Sequence, residues 1–228
     1  MNYRRWLPAV SGMALLGCNA SYAPPLRSTH YGAPGRLGPG QAEVAVGVGN
    51  RGLGTGGVGL PVGGSVRLEV NVDASEHWVL GLAGLRASHR LGRNFTLDGE
   101  LGAGVGRGGE RCGNNNDLTA SCAAGAVDGR TALGRVAGGG YGGLGLGYRV
   151  VSWLDLFTRA RVQGSTATNI PATLWWSVFA GPELRLGVVN FYLGAGWAGY
   201  VNEAENNDGL VLELGASVPF TVGAARGR

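Results

Sequence analysis

The residues able to do chemistry fall into three settings. In the first, "DASEH", Asp73, Ser75, Glu76 and His77 bring an acid, a hydroxyl and an imidazole close together, the residue types of a hydrolase. Adjacency in one short segment is not the geometry of a triad, and the other histidines, His30 and His89, stand far off in sequence. In the second, "CGNNNDLTASC", Cys112 and Cys122 flank a polar, Asn-rich segment. Asp117 and the distant histidines are too few to complete a metal site there, so the spacing fits a loop disulfide in an oxidising compartment. The third is commonest: charged residues at every second position of otherwise apolar stretches. Arg67 and Glu69 stand this way in "SVRLEVNVD", Asp98 and Glu100 in "FTLDGELGAGV", Asp155, Arg159 and Arg161 in "LDLFTRARVQ", and Glu213 in "GLVLELGASVPF". With Glu43, Arg149, Glu183 and Arg185 they form a set of mixed sign, which suits mutual ion pairing on one face of a sheet. The clusters "GAGVGRGG" and "GGGYGGLGLG" are followed by no helix signal, so neither reads as a phosphate loop. No cofactor, metal or catalytic residue is expected.

Such spacing requires strands, because only an extended chain sends alternate side chains to opposite faces. In "GLVLELGASVPF", Leu210, Leu212, Leu214, Ala216, Val218 and Phe220 share one face, opposite Val211, Glu213, Gly215 and Ser217. Ten strands are expected, covering approximately 41–49, 54–62, 65–73, 77–87, 94–106, 135–150, 153–163, 172–185, 189–201 and 209–222. Connections after odd strands include "DASE", the long segment 107–134, "GSTATNIP" and "NEAENND", whereas those after even strands are "GG", "SHRLGR", "VS" and "LGV". Long polar loops on one side and short turns on the other are the asymmetry of a transmembrane barrel. If the glycine-rich second strand were a loop, the parity would fail. Omitting the whole first hairpin restores it, which leaves eight strands as the alternative. Trp78, Tyr148, Trp153, Phe191, Tyr200 and Phe220 lie near strand ends, where interfacial aromatic girdles are found.

Glycine supplies 45 of 228 residues, without the period of collagen or the polar composition of a linker. It collects on the charged faces, as expected where strands curve tightly around a narrow interior. All 19 basic residues are arginine. Once Arg4 and Arg5 are removed with a leader, 17 remain against 15 acidic residues, a balance that gives no reason to expect nucleic acid as a partner.

At the N-terminus, Arg4 and Arg5 precede the apolar run "WLPAVSGMALL", too short to span a bilayer as a helix and suited to an export signal. Leu15-Leu16-Gly17-Cys18 resembles the bacterial lipobox, and that resemblance implies acylation of Cys18, with Asn19 favouring sorting to the outer membrane. Plain cleavage after Ala20 or Ala23 is the alternative. Acylation would leave Cys112 and Cys122 as an even pair. The domain plan is a signal peptide at 1–17, a lipidated N-terminus and Pro/Gly-rich tether at 18–40, a barrel at 41–222 and a tail at 223–228.

Glu213, Gly215, Val218 and Phe220 resemble the C-terminal strand signal of bacterial barrels, although Pro219 interrupts it and the chain continues past Phe220. Over 41–222 the pattern resembles small outer-membrane barrels of the OmpA-like and OmpX-like kind. The resemblance implies an all-β antiparallel transmembrane barrel, outer-membrane lipid as its surroundings, and the barrel-assembly machinery as a partner reading the last strand. The function expected is a structural or surface-interaction role with a charged, plugged lumen and an extracellular loop closed by Cys112 and Cys122, its ligand unknown. A narrow porin-like channel, an enzyme acting on envelope lipid or peptide, and a soluble periplasmic β-sandwich lipoprotein are the alternatives.

Overall fold

A computed structural model describes residues 33, 37–38, 40–49, 54–74, 78–108, 136–168, 170–200 and 209–222. Cys18, Ser75, His77, Cys112 and Cys122 lie outside these residues, and so does the expected leader.

Ten strands close on themselves: β1 Gln41–Gly49, β2 Gly54–Gly63, β3 Val66–Ala74, β4 Trp78–Arg90, β5 Phe95–Gly108, β6 Val136–Val151, β7 Leu154–Ala167, β8 Ile170–Leu186, β9 Val189–Tyr200 and β10 Gly209–Thr221. Each pairs antiparallel with its neighbours in sequence, and β1 completes the ring against β10 from Gln41 opposite Thr221 to Gly49 opposite Glu213. Closure leaves no edge strand with unpaired backbone groups. The glycine-rich β2 is a full member of the ring, with a register shift between Pro61 and Gly63, so the count is ten and not eight. Pro219 stands opposite Glu43 near the end of β10.

The alternation becomes two surfaces of opposite character. Val44, Val46, Leu85, Leu144, Val162, Leu193 and Leu212 are exposed on the outside, and Leu101 reaches 72 % exposure. Glu69, Asp98, Arg159, Glu183 and Glu213 are buried inside. A protein meant for water buries the apolar face and exposes the charged one, so this barrel is built to present hydrocarbon to its surroundings.

The strand ends differ from the sequence reading on the long-loop side. β7 continues to Ala167 and β8 begins at Ile170, so most of the expected loop "GSTATNIP" is strand. Thr168 N–H donates to the Val136 carbonyl at 2.9 Å, which ties this hairpin tip to β6. The wall is therefore uneven, with 16 and 17 residues in β6 and β8 against 9 each in β1 and β3. His89, expected in a turn, stands exposed near the end of β4.

The girdle also needs correction. Phe95, Tyr148, Trp153, Phe191 and Phe220 are exposed at the short-turn end, where the Phe95 and Tyr148 rings lie 4.7 Å apart. Trp78, expected among them, is buried inside the barrel because the parity of β4 turns it inward together with Leu80 and Leu82. Among the described side chains Trp197 is exposed near the long-loop end.

Candidate functional site

Ten closed strands leave an interior only wide enough for side chains to fill. The functional question is what fills it. Toward the long loops the filling is apolar: Trp78, Leu80 and Leu82 of β4 pack with Ala137 and Tyr141 of β6 and Ala167 of β7. Leu80 and Leu82 stand opposite Gly106 and Gly104 of β5, and a Cβ added at Gly104 would lie 3.0 Å from Leu82 Cγ. Tyr141 is seated in the same way against Gly84 and Gly102, which have no side chain to displace it. The Arg161 guanidinium covers its ring at 5.5 Å, within cation–π range. Asp73, an acid of the segment "DASEH", is fully buried here and accepts a 2.6 Å hydrogen bond from the Thr55 hydroxyl.

Below this lies a compact ion-pair network on β3, β4, β5 and β7. Arg86 reaches Glu69 at 3.0 Å, Glu100 at 3.2 Å and Asp98 at 3.7 Å. Arg159 pairs with Asp98 at 2.9 Å and with Glu100 at 3.5 Å, while Arg161 Nε donates to Glu100 Oε1 at 2.6 Å. Three guanidinium groups thus surround three carboxylates, all buried. Desolvating any of these ions alone would cost several kcal/mol, so charges of one sign could occupy this space only with the other sign beside them.

The opposite wall holds a second cluster: Phe157 of β7 lies 6.1 Å from Phe179 of β8 and 6.3 Å from Tyr192 of β9, edge-on to the latter. Tyr192 O–H donates to Glu213 of β10 at 3.5 Å. Ala33 packs into this cluster at 2 % exposure, and its N–H donates to Glu183 Oε2 at 2.5 Å. A residue expected in a tether outside the barrel therefore lies within it. Near the short-turn mouth, Asp155 is shared by Arg149 at 3.3 Å and Arg185, and Arg67 pairs with Glu43 at 3.6 Å.

The structure thus brings Glu69, Asp98, Glu100, Arg159 and Arg161 into one network, and Arg149, Asp155 and Arg185 into another. Arg67, Glu183 and Glu213 line the interior apart from these two. Arg86, the centre of the first network, was not among the residues singled out from sequence. β4 carries Val79, Gly81, Ala83 and Leu85 on one face and Trp78, Leu80, Leu82 and Gly84 on the other, so its polarity does not alternate and gave no sign of which way Arg86 pointed. Arg86 shares the parity of Leu82, which only the structure shows to face inward. Among the described residues no group of His, Cys, Asp and Glu is arranged to hold a metal ion.

No family model matches the chain, and no curated protein does. Among solved structures it is similar to a de novo designed transmembrane β-barrel, at 13% identity and a TM-score of 0.34, over 81% of this chain and 98% of that one. It is similar to the N-terminal β-barrel domain of Pseudomonas aeruginosa OprF, at 12% identity and a TM-score of 0.33, over 81% and 100%. It is also similar to the translocator domain of the autotransporter NalP from Neisseria meningitidis, at 13% identity and a TM-score of 0.35, over 82% and 90%.

Proposed function

We propose that this chain is a barrel of the bacterial outer membrane with a structural or surface-interaction role, not an enzyme, and that its lumen is plugged by its own side chains, Ala33 among them. The observation that carries the reading is the inverted distribution of polarity: Leu101 is 72 % exposed on the outside, while Asp73 and Glu183 are 0 % exposed within. Water is the wrong solvent for that exterior, and a bilayer is the right one. In this reading the short turns, the start of β1 and the end of β10 face the periplasm, the longer connections face outward, and the segment bearing Cys112 and Cys122 is a disulfide-closed surface loop. Cys18 carries the lipid, the membrane lipid surrounds the wall, and the last strand through Phe220 is what the assembly machinery reads. Nucleic acid has no part in it.

A filled interior supports the structural role over the channel, since the apolar cluster around Tyr141, the arginine network and Ala33 occupy successive parts of the same space. The test is gel mobility of the membrane fraction before and after boiling. A heat-modifiable band in the outer-membrane fraction is expected. Release by an aqueous wash with no mobility shift would overturn the reading in favour of a soluble protein.

A further inference from the structure

Arg90 at the end of β4 and Arg93 in the turn that follows belong to neither ion-pair network, and neither pairs with a carboxylate among the described residues. They line a concavity at the short-turn mouth together with Asn94, Thr96, Arg149 and Asp155. Its open space is about 310 Å³, the mouth included, at the small end of ligand sites. Asp155 is the single carboxylate of the lining, and Arg149 and Arg185 already divide its charge. Asp98, the next lumenal position after Thr96 on β5, is held by Arg86 and Arg159. Positive charge is left in excess, and a cleft with such an excess concentrates anions.

Strand parity decides what can reach it. Arg90 stands opposite Thr96, Thr96 opposite Gly147, and Arg149 opposite Asp155, all on the lumenal face. Phe95 and Tyr148, the neighbours of Thr96 and Arg149, turn their rings outward into the aromatic belt. Arg90 and Arg149 thus face the aqueous mouth and not the wall, so a ligand arrives dissolved in water and not from the surrounding lipid.

The backbone fixes the frame. Leu91 N–H donates to the Phe95 carbonyl at 3.0 Å and Arg149 N–H to the Asn94 carbonyl at 2.8 Å, so the β4–β5 turn is clamped to β6. Gly92 makes the turn at φ 132°, a conformation that side chains with a Cβ rarely adopt. Arg90 and Arg149 therefore flank β5 from β4 and β6, with Arg93 in the turn beside them, and a frame already fixed loses little freedom when a ligand arrives. Guanidinium forks match carboxylate and phosphate oxygens alike, but the two oxygens of a carboxylate satisfy one fork. A phosphate offers oxygens to more than one fork and carries a second charge to meet the surplus.

We propose that this mouth binds a small phosphate-bearing anion from the aqueous phase, inorganic phosphate or a phosphomonoester. The inference rests on the proposed function only for the identity of that phase, the periplasm. Detergent-solubilised protein showing the heat-modifiable band would be titrated calorimetrically with inorganic phosphate, glycerol 3-phosphate and acetate in turn, all at an ionic strength of about 0.15 M so that screening is constant. R90Q/R93Q and R90K/R93K would be run beside the unsubstituted chain. Both arginines are exposed, so the variants should fold, and the band checks this separately from binding. Saturable phosphate binding by the unsubstituted chain is expected, about tenfold weaker in R90Q/R93Q and partly recovered in R90K/R93K, which keeps the charge and loses the fork. Glycerol 3-phosphate binding as tightly as phosphate supports a phosphomonoester as the ligand, and binding of phosphate alone supports the free ion. Acetate binding as tightly as phosphate, or equal phosphate binding by R90Q/R93Q, would overturn the site. No phosphate binding by a chain that shows the band would overturn the site alone, whereas absence of the band from the unsubstituted chain would overturn the barrel and the site together.

Discussion

Ala33 and Glu183, 150 positions apart, are joined inside the barrel by a 2.5 Å hydrogen bond from the alanine amide to the carboxylate. Glu183 is fully buried, and Ala33 packs on Phe157, Phe179 and Tyr192, so Ala33 contributes to the filling of the lumen. Two variants remove this contribution by different routes: Ala33→Pro takes away the donating N–H, and deletion of residues 19–36 takes away the segment. Because the Tyr141 cluster and the arginine network remain in place, both variants should stay nearly silent in planar bilayers but unfold at lower temperature in detergent than the full-length chain. Unchanged unfolding in both variants would mean that Ala33 adds nothing to the packing inside the barrel.

Arg86 is the shared partner of Glu69, Asp98 and Glu100, with its side chain 1 % exposed. Arg86→Ala leaves buried carboxylates short of a counter-charge and should cost about 3–5 kcal/mol in reversible unfolding from detergent micelles. Combining it with Glu100→Ala should recover part of that loss, because the pair is removed together. Additive losses in the double variant would show that the two groups do not interact.

Gly102 stands where any side chain would collide with the Tyr141 ring. Gly102→Ala is expected to lower stability by about 1–3 kcal/mol through overpacking. Gly140 is the control, since the nearest atom to an added Cβ there is the Gly102 carbonyl oxygen at an ordinary 3.5 Å. If Gly140→Ala and Gly102→Ala melt alike, the seating of Tyr141 on glycine is not what these positions are for.

Leu101, midway along β5, is the most direct probe of what surrounds the wall. Leu101→Arg should cost about 2–4 kcal/mol if this face lies near the centre of a bilayer. The same change on a water-exposed surface would stay within about 0.5 kcal/mol. Unfolding midpoints in lipid vesicles separate the two, and a neutral result would place this face in water.

The sequence by itself determined the elements and their two faces. Period-two alternation is a local property, and in "SVRLEVNVD" or "LDLFTRARVQ" it assigns Glu69, Arg159 and Arg161 to one side without knowledge of any other strand. Short turns between β2 and β3, β6 and β7, and β8 and β9 were equally legible, and with them the count of ten. Tertiary structure decided what no single strand contains. Closure of β1 on β10 made one face an interior, and the cross-strand register brought Arg86, Asp98 and Arg159 together from three strands. The register of β4 against β5 turned Trp78 inward, although position near a strand end suggested the girdle. Ala33 had no periodicity to read, because its place depends on Glu183, Phe157, Phe179 and Tyr192 arriving from three distant strands to form the surface it packs against.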